Sequence, residues 1–316
     1  MKVINNNNWN HTLDEKVSIA LGSFDGIHKG HRQLIKSLHD IKQSGGSKIM
    51  VYTFIQHPMS VISPENRPLY INDNEQKINI LRDLNIDYLV FNEFTYEFSK
   101  VSPREFIKRF LVDKYNIDTI VIGYNYTFGA NGEGNSNTMQ ELGKDFGFNV
   151  KIIPPIRLKN SIISSSRVRE TIEAGQVSDA AHLLGYPYSI SGKVVRGKGR
   201  GKHLGFPTAN LSYDKQKVIP NNGVYLTLVK VRNIYVWGLT NIGTNPTFGS
   251  DELCIETHLI GFDGNIYGKN LTICFLDRIR DEIQFKDADS LIDQMQQDMD
   301  AAEKIIYKII HMCYNT

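Results

Sequence analysis

Ten residues from Gly22 to His31, reading Gly-Ser-Phe-Asp-Gly-Ile-His-Lys-Gly-His, constrain the fold more than any other stretch of the chain. An apolar run, Val17 to Leu21, leads into them, and Leu34, Ile35, Leu38 and Ile41 follow at helical spacing. The order is strand, glycine turn, helix. Gly22, Gly26 and Gly30 let the backbone turn tightly and approach a ligand, while the free amides and dipole of the helix start favour an anion. Phosphate is the best-matched anion. His28 and His31, three apart at the helix mouth, can turn both rings toward one phosphate; a helix cap or a metal-binding pair is the plain alternative for this spacing.

The alternation of strand and helix continues. Ile49 to Phe54 reads as a second strand ending in His57-Pro58, Glu75 to Leu84 as a helix, and Asp87 to Phe91 as a third strand. Ser102-Pro103-Arg104-Glu105 is a capping box that opens a helix to about Tyr115. Thr119 to Gly123 is a β-branched run suited to a strand buried on both faces, and it discharges into a loop holding Asn125 and Phe128. Thr138 caps a further helix, and Asn149 to Ile153 is the last strand. This pattern predicts an α/β domain with a parallel, doubly wound sheet, whose ligands gather at the carboxyl ends of the strands. Asn125 offers an amide for a nucleotide or flavin edge and Phe128 a stacking ring, although turn chemistry and core filling are the commoner uses of such residues. Ser164, Ser165 and Ser166 precede Arg167 and Arg169 at a helix start, where serines cap but arginines conflict with the dipole; an anionic ligand would remove the conflict.

Beyond Leu184-Gly185 and Tyr186-Pro187 the periodicity changes. Alternating strands over Tyr188 to Val195, Gly223 to Val231, Tyr235 to Ile242, Cys254 to Leu259 and Asn270 to Leu276 predict a small antiparallel β-barrel. A long amphipathic helix, about Ala288 to Cys313, follows with Leu291, Ile292, Met295, Met299, Ile305, Ile306 and Ile309 as its buried stripe. Between the first two strands, Arg196 to His203 alternates glycine with positive charge, a pattern for a solvated loop, a nucleic-acid contact or a phosphate nest. Leu204-Gly205-Phe206-Pro207-Thr208-Ala209-Asn210-Leu211 follows. Thr208 and Asn210 lie on one side of an extended strand, so a hydroxyl and an amide oxygen point together as hard ligands for Mg²⁺.

At 316 residues the chain is long enough for two domains, expected at 1–185 and 186–316. A net charge of +2 gives no general reason to expect nucleic acid or an anionic membrane as partner. No signal-like or membrane-spanning run is found, and Cys254, Cys274 and Cys313 lack metal-ligand spacing, which together lead us to expect a cytoplasmic protein with reduced thiols. A monomer is the simplest expectation.

The ten-residue stretch resembles the G-x-F-D-G-x-H-x-G-H signature of FAD synthetase, and Ile163 to Arg169 resembles that family's I-S-S-T-x-I-R element, with Ser166 where threonine is usual. Gly197 to Asn210 resembles the riboflavin kinase signature G-x-x-x-G-R-x-L-G-F-P-T-A-N, with Lys202 where arginine is frequent. The order of the two matches bacterial bifunctional riboflavin kinase/FAD synthetases. The resemblance implies that His28, His31 and Arg169 serve adenylyl transfer from ATP to FMN, with Gly22, Phe24, Asp25, Gly26, Gly30, Ser164, Ser165 and Ser166 around the ATP phosphates. It implies His57, Pro58, Asn125, Phe128, Arg280 and Glu282 as flavin contacts. For riboflavin phosphorylation it implies Glu256 as general base, Gly197, Lys198, Gly199, Gly201 and Lys202 as a phosphate cradle, and Thr208 and Asn210 as Mg²⁺ and phosphate ligands. Riboflavin, FMN and ATP are then substrates, and Mg²⁺ the cofactor.

Overall fold

The computed structural model describes residues 1–5, 12–197, 205–244 and 253–314. The expected cradle residues Lys198, Gly199, Gly201 and Lys202 lie outside them. The chain divides into two compact units, Met1–Ser166 and Arg167–Thr316.

The first unit holds a six-stranded parallel sheet of β1 (Lys2–Asn5), β2 (Leu13–Leu21), β3 (Lys48–Phe54), β4 (Tyr88–Asn92), β5 (Tyr115–Gly123) and β6 (Asn149–Ile153), in the order β1-β4-β3-β2-β5-β6. Its central strands are apolar on both faces, as a sheet covered by helices on each side requires. Ile19, Leu21, Met50, Tyr52, Val90, Ile120 and Ile122 pack on one face with Phe106, Leu111 and Met139. Ala20, Ile49, Val51, Leu89, Phe91 and Val121 pack on the other with Leu34, Ile35, Leu38 and Leu81. From β2 the chain moves outward through β3 and β4, then returns to the other side of β2 for β5 and β6. The topological switch point therefore lies between β2 and β5, where a ligand crevice opens beyond the strand ends.

Local chemistry sets the helix limits. The helix Lys29–Gly45 begins at His28 and stops at Gly46, whose φ of 79° is the left-handed stop. The helix expected to run to Tyr115 instead ends at Val112: after Pro103–Glu105 it widens into a π-helix, Phe106–Val112, and Tyr115 already pairs with Leu13 in the sheet. Asn135, not Thr138, caps the helix Ser136–Phe146, accepting the amides of Asn137 and Thr138. Ser178 sits inside the helix Val177–Leu184, which starts after Gln176. A small hairpin of β7 (Arg157–Leu158) and β8 (Ser161–Ile162) escapes the sequence pattern because each strand is only two residues long.

The second unit is a closed antiparallel barrel of β9 (Ser189–Val195), β10 (Thr208–Ser212), β11 (Gly223–Val231), β12 (Ile234–Thr244), β13 (Leu253–Leu259) and β14 (Asn270–Arg280), in the order β10-β13-β12-β11-β14-β9. Thr227, Thr240 and Thr257, all buried, form a hydroxyl chain across β11, β12 and β13 with oxygen separations of 2.9 Å. The helix Ala288–Tyr314 packs Met299, Ala302, Ile305, Ile306 and Ile309 with Leu226 and Leu239 of the barrel. Its stripe also carries Asp298, which the apolar pattern conceals. Arg280 donates to it from Nε and Nη2, both at 2.8 Å, while Gln294 donates to the same carboxylate. Removing one partner of a buried pair strands the other charge. Asp298→Ala is therefore expected to destabilise the second unit by about 3 kcal/mol in urea unfolding, and a loss under about 1 kcal/mol would show the clamp to be unimportant.

Candidate functional site

The turn after β2 is built against the preferences of its residues. Phe24 and Ile27 have φ of 47° and 36°, a left-handed region costly for bulky or β-branched side chains, and Gly26 between them has 85°. Both strained side chains are fully buried and so are held by the core. The buried Asp25 carboxylate accepts the amides of Ile71 at 2.9 Å and Asn72 at 3.2 Å. Thr53 donates to the Ser23 carbonyl at 2.8 Å, and Ser165 donates to the Asp25 carbonyl at 2.7 Å. Asp25 and Phe24 thus anchor the turn from inside.

Against that frame His28 and His31 stack, with ring centroids 3.9 Å apart and planes 17° from parallel. His28 Nδ1 accepts the His31 backbone amide at 3.4 Å, so Nε2 carries the proton of the neutral ring. A Cβ at Gly30 would stand 3.0 Å from the His28 ring, which explains a glycine there. The His31 ring also meets Phe24, at 4.9 Å, and its buried Nδ1 has no hydrogen-bond partner among the described residues. Burial, then the charges of His28 and Lys77, hold its imidazole well below the ordinary 6.5. An unpartnered buried donor or acceptor costs about 1–3 kcal/mol, which an entering phosphate oxygen would offset.

These rings open into a cavity of about 510 Å³ at the switch point. Of the residues expected from the sequence, it is lined by Gly22, His28, Gly30, His31, His57, Pro58, Asn125, Phe128, Ser164 and Ser165. Gly26 shapes the turn without lining it, and Ser166 and Arg169 follow on the first turns of the helix Ser165–Glu173. His57 accepts the Met59 amide through Nδ1 at 3.2 Å. Phe128 is almost wholly buried, stacked on Tyr126 and tilted on Phe106. Sequence reading missed the rest of this aromatic wall. Phe98 meets Phe54, Phe94, Phe106 and Phe110 edge-on at 4.9–5.8 Å, and Phe54, Phe94, Phe98, Phe106 and Tyr126 all face the cavity. The only trace of it in the sequence is phenylalanine density between Phe91 and Phe110, without a period that would mark one surface.

In the barrel, pairing puts Glu256 of β13 opposite Asn210 of β10 on one side and Asn241 of β12 on the other. Residues paired across strands share a face, so Thr208, Asn210 and Glu256 stand on the outer wall, while Ala209, Thr240 and Thr257 are buried inside. Thr208 Oγ1 donates to Glu256 Oε2 at 3.3 Å. A Cβ at Gly197 would stand 2.1 Å from the Asn210 side-chain nitrogen, so the β9 end comes hard against that amide. Glu282 accepts from Asn222 at 2.9 Å and presses on Gly243, where no Cβ fits. Arg280 is committed to Asp298.

Two family models match the chain, FAD synthetase over residues 10–167 and riboflavin kinase over residues 184–306. The bifunctional riboflavin kinase/FMN adenylyltransferase of Listeria monocytogenes is 35% identical over 91% of this chain and 93% of its own, and that of Bacillus subtilis is 33% identical over 96% and 97%. The chain belongs to the bifunctional riboflavin kinase/FMN adenylyltransferases. It is accordingly an enzyme of FMN and FAD biosynthesis, phosphorylating riboflavin and adenylylating FMN, with ATP consumed in both reactions. The crystal structure of a protein from Streptococcus pneumoniae described as a macrolide-efflux protein superposes with a TM-score of 0.87 at 30% identity, covering 96% of this chain and 98% of that one. Among the described residues, no helix of this enzyme is long and apolar enough to cross a membrane.

The depressed His31 value has a consequence for this enzyme's stability. An unfolded His31 takes up its proton near 6.5, whereas the folded ring stays neutral until lower pH. The stabilisation is thus complete above 6.5 and lost as pH falls toward the folded value. Urea unfolding between about pH 7.5 and 5.5 should show the first unit weakening, and His31→Gln should flatten that slope. Parallel slopes for the two proteins would contradict the burial of a neutral ring.

Proposed function

We propose that residues 1–185 carry FMN adenylylation and residues 186–316 riboflavin phosphorylation. The observation that most supports the first assignment is the unpartnered His31 Nδ1, stacked beside His28 in a cavity that has serines on one wall and aromatic rings on another.

In this reading the FMN phosphate oxygen attacks the α-phosphorus of ATP, the bond to the bridging oxygen breaks, and pyrophosphate leaves. His28 Nε2 and His31 donate to the phosphate oxygens as charge redistributes, and Arg169 and the Ser164–Ser166 segment hold the leaving phosphates. Gly22, Gly26 and Gly30 let the backbone approach, while Phe24 and Asp25 fix its path. Asn125 addresses a flavin or nucleotide edge, and His57, Pro58 and Phe128 bound the flavin, with Phe54, Phe98 and Phe106 extending its apolar wall. Catalysis here is positioning and electrostatics.

On the barrel, the terminal ribityl hydroxyl attacks the γ-phosphorus, ADP leaves, and Glu256 accepts the hydroxyl proton. A hydroxyl, an amide oxygen and a carboxylate gathered at Thr208, Asn210 and Glu256 fit a hard divalent cation, and Thr208 and Asn210 would hold it. Mg²⁺ bound there with ATP supplies charge neutralisation on the phosphates. Gly197 and the glycine-basic run after it cradle phosphate, and Arg280 and Glu282 border the riboflavin. The ligands are small molecules, with neither nucleic acid nor membrane required. In this reading the enzyme acts as a cytoplasmic monomer.

Glu256→Gln should lower riboflavin phosphorylation by about a hundredfold or more while leaving conversion of added FMN to FAD intact. The His28→Ala/His31→Ala double variant should do the reverse. Chromatography of products from riboflavin or FMN with ATP and Mg²⁺ reads both. Loss of both activities from either folded variant would refute the two-site assignment.

A further inference from the structure

Lys77 is a buried lysine in an unfavourable place. It sits in the first turn of the helix Asn74–Asp83, where the helix dipole opposes a cation, and its side chain is withdrawn from water. Such a charge is costly unless something nearby needs it. Its Nζ reaches the Ser23 carbonyl at 3.4 Å, the same oxygen that accepts from Thr53. Ser23 lines the cavity and opens the strained turn through Phe24 and Ile27 to His28.

We propose that Lys77 is a positioning residue of adenylyl transfer, its ammonium pinning the Ser23 carbonyl and setting a fixed positive charge behind the turn that faces the phosphates. This rests on placing adenylyl transfer at His28 and His31. ATP brings several negative charges to a cleft lined in part by apolar rings, where a cation behind the backbone attracts them without competing for a phosphate oxygen. The groups facing the pair His31 and Lys77 are His28 on the turn, Asp25 beneath it and Asp73 at the helix cap. Burial holds the Lys77 value below the ordinary 10.5, and the carboxylates of Asp25 and Asp73 oppose part of that shift. The Lys77 charge in turn helps hold His31 neutral before substrate arrives.

Two neutral variants separate the charge from the pin. Lys77→Met removes both, whereas Lys77→Gln keeps an N–H for the Ser23 carbonyl. For FMN adenylylation, kcat/KM for ATP should fall about tenfold in both, riboflavin phosphorylation should be unchanged, and His31 should titrate higher in both by proton NMR. A Lys77→Gln enzyme with the unsubstituted kcat/KM and an unmoved His31 would overturn the charge role, even if Lys77→Met were impaired. Should the variants fail to fold, NMR titration of the Lys77 ε-methylene in the unsubstituted enzyme decides: a protonated ammonium at pH 7 supports the proposal, and a neutral amine there overturns it. If His31→Gln left FAD formation intact, the placement of the reaction at this turn would fail and take Lys77 with it. If His31→Gln abolished FAD formation while both Lys77 variants remained active, the Lys77 proposal alone would fail.

Discussion

The buried carboxylate of Asp25 is the constraint on which the first unit's histidine turn depends. It accepts two amides from the strand-to-helix connection at Ile71 and Asn72, and so fastens a turn whose own residues resist their conformation. Left-handed Phe24 and Ile27 persist because their side chains fill the core so completely that no relaxed alternative packs as well. Strain in the backbone is thereby exchanged for the placing of two imidazoles at a helix start. Asp25 and Phe24 shape the cavity from behind without lining it.

In the barrel the governing constraint is parity. Side chains alternate across a strand, so the same pleat that sends Thr227, Thr240 and Thr257 inward sends Thr208, Asn210 and Glu256 outward. A slip of one residue in β13 would bury the glutamate and expose a threonine, at the cost of an unpaired charge inside and a broken hydroxyl chain. The three threonines therefore hold register for a carboxylate on the opposite face.

Much of this was readable from the chain. The strand-turn-helix at Gly22 to His31, the alternation that follows, the barrel strands and the stripe of the last helix all follow from period and punctuation, and β6 and β11 match their expected limits. Where the reading failed, a local rule met a competitor. The helix after Ser102 yielded to β5, because Tyr115 is worth more as a buried strand residue than as a helix end. Asn135 outcompeted Thr138 as a cap because its carbonyl reaches two amides at once. The aromatic wall and Lys77 were illegible for another reason: their significance comes from which distant elements they meet, and no spacing in sequence encodes that. Asp298 hides in the same way, a single carboxylate in an apolar stripe that makes sense only opposite Arg280.

The bond from Ser165 to the Asp25 carbonyl joins residues 140 positions apart in the chain. Four of the sheet's six strands, β3 to β6, are made between them, so the tie can form only after the whole sheet has been synthesised. On the ribosome, a nascent chain would display the histidine turn long before the serine segment emerged to meet it. The cavity is thus closed only after its sheet is complete, and partly made chains would lack the tie that fastens the serine segment to the histidine turn.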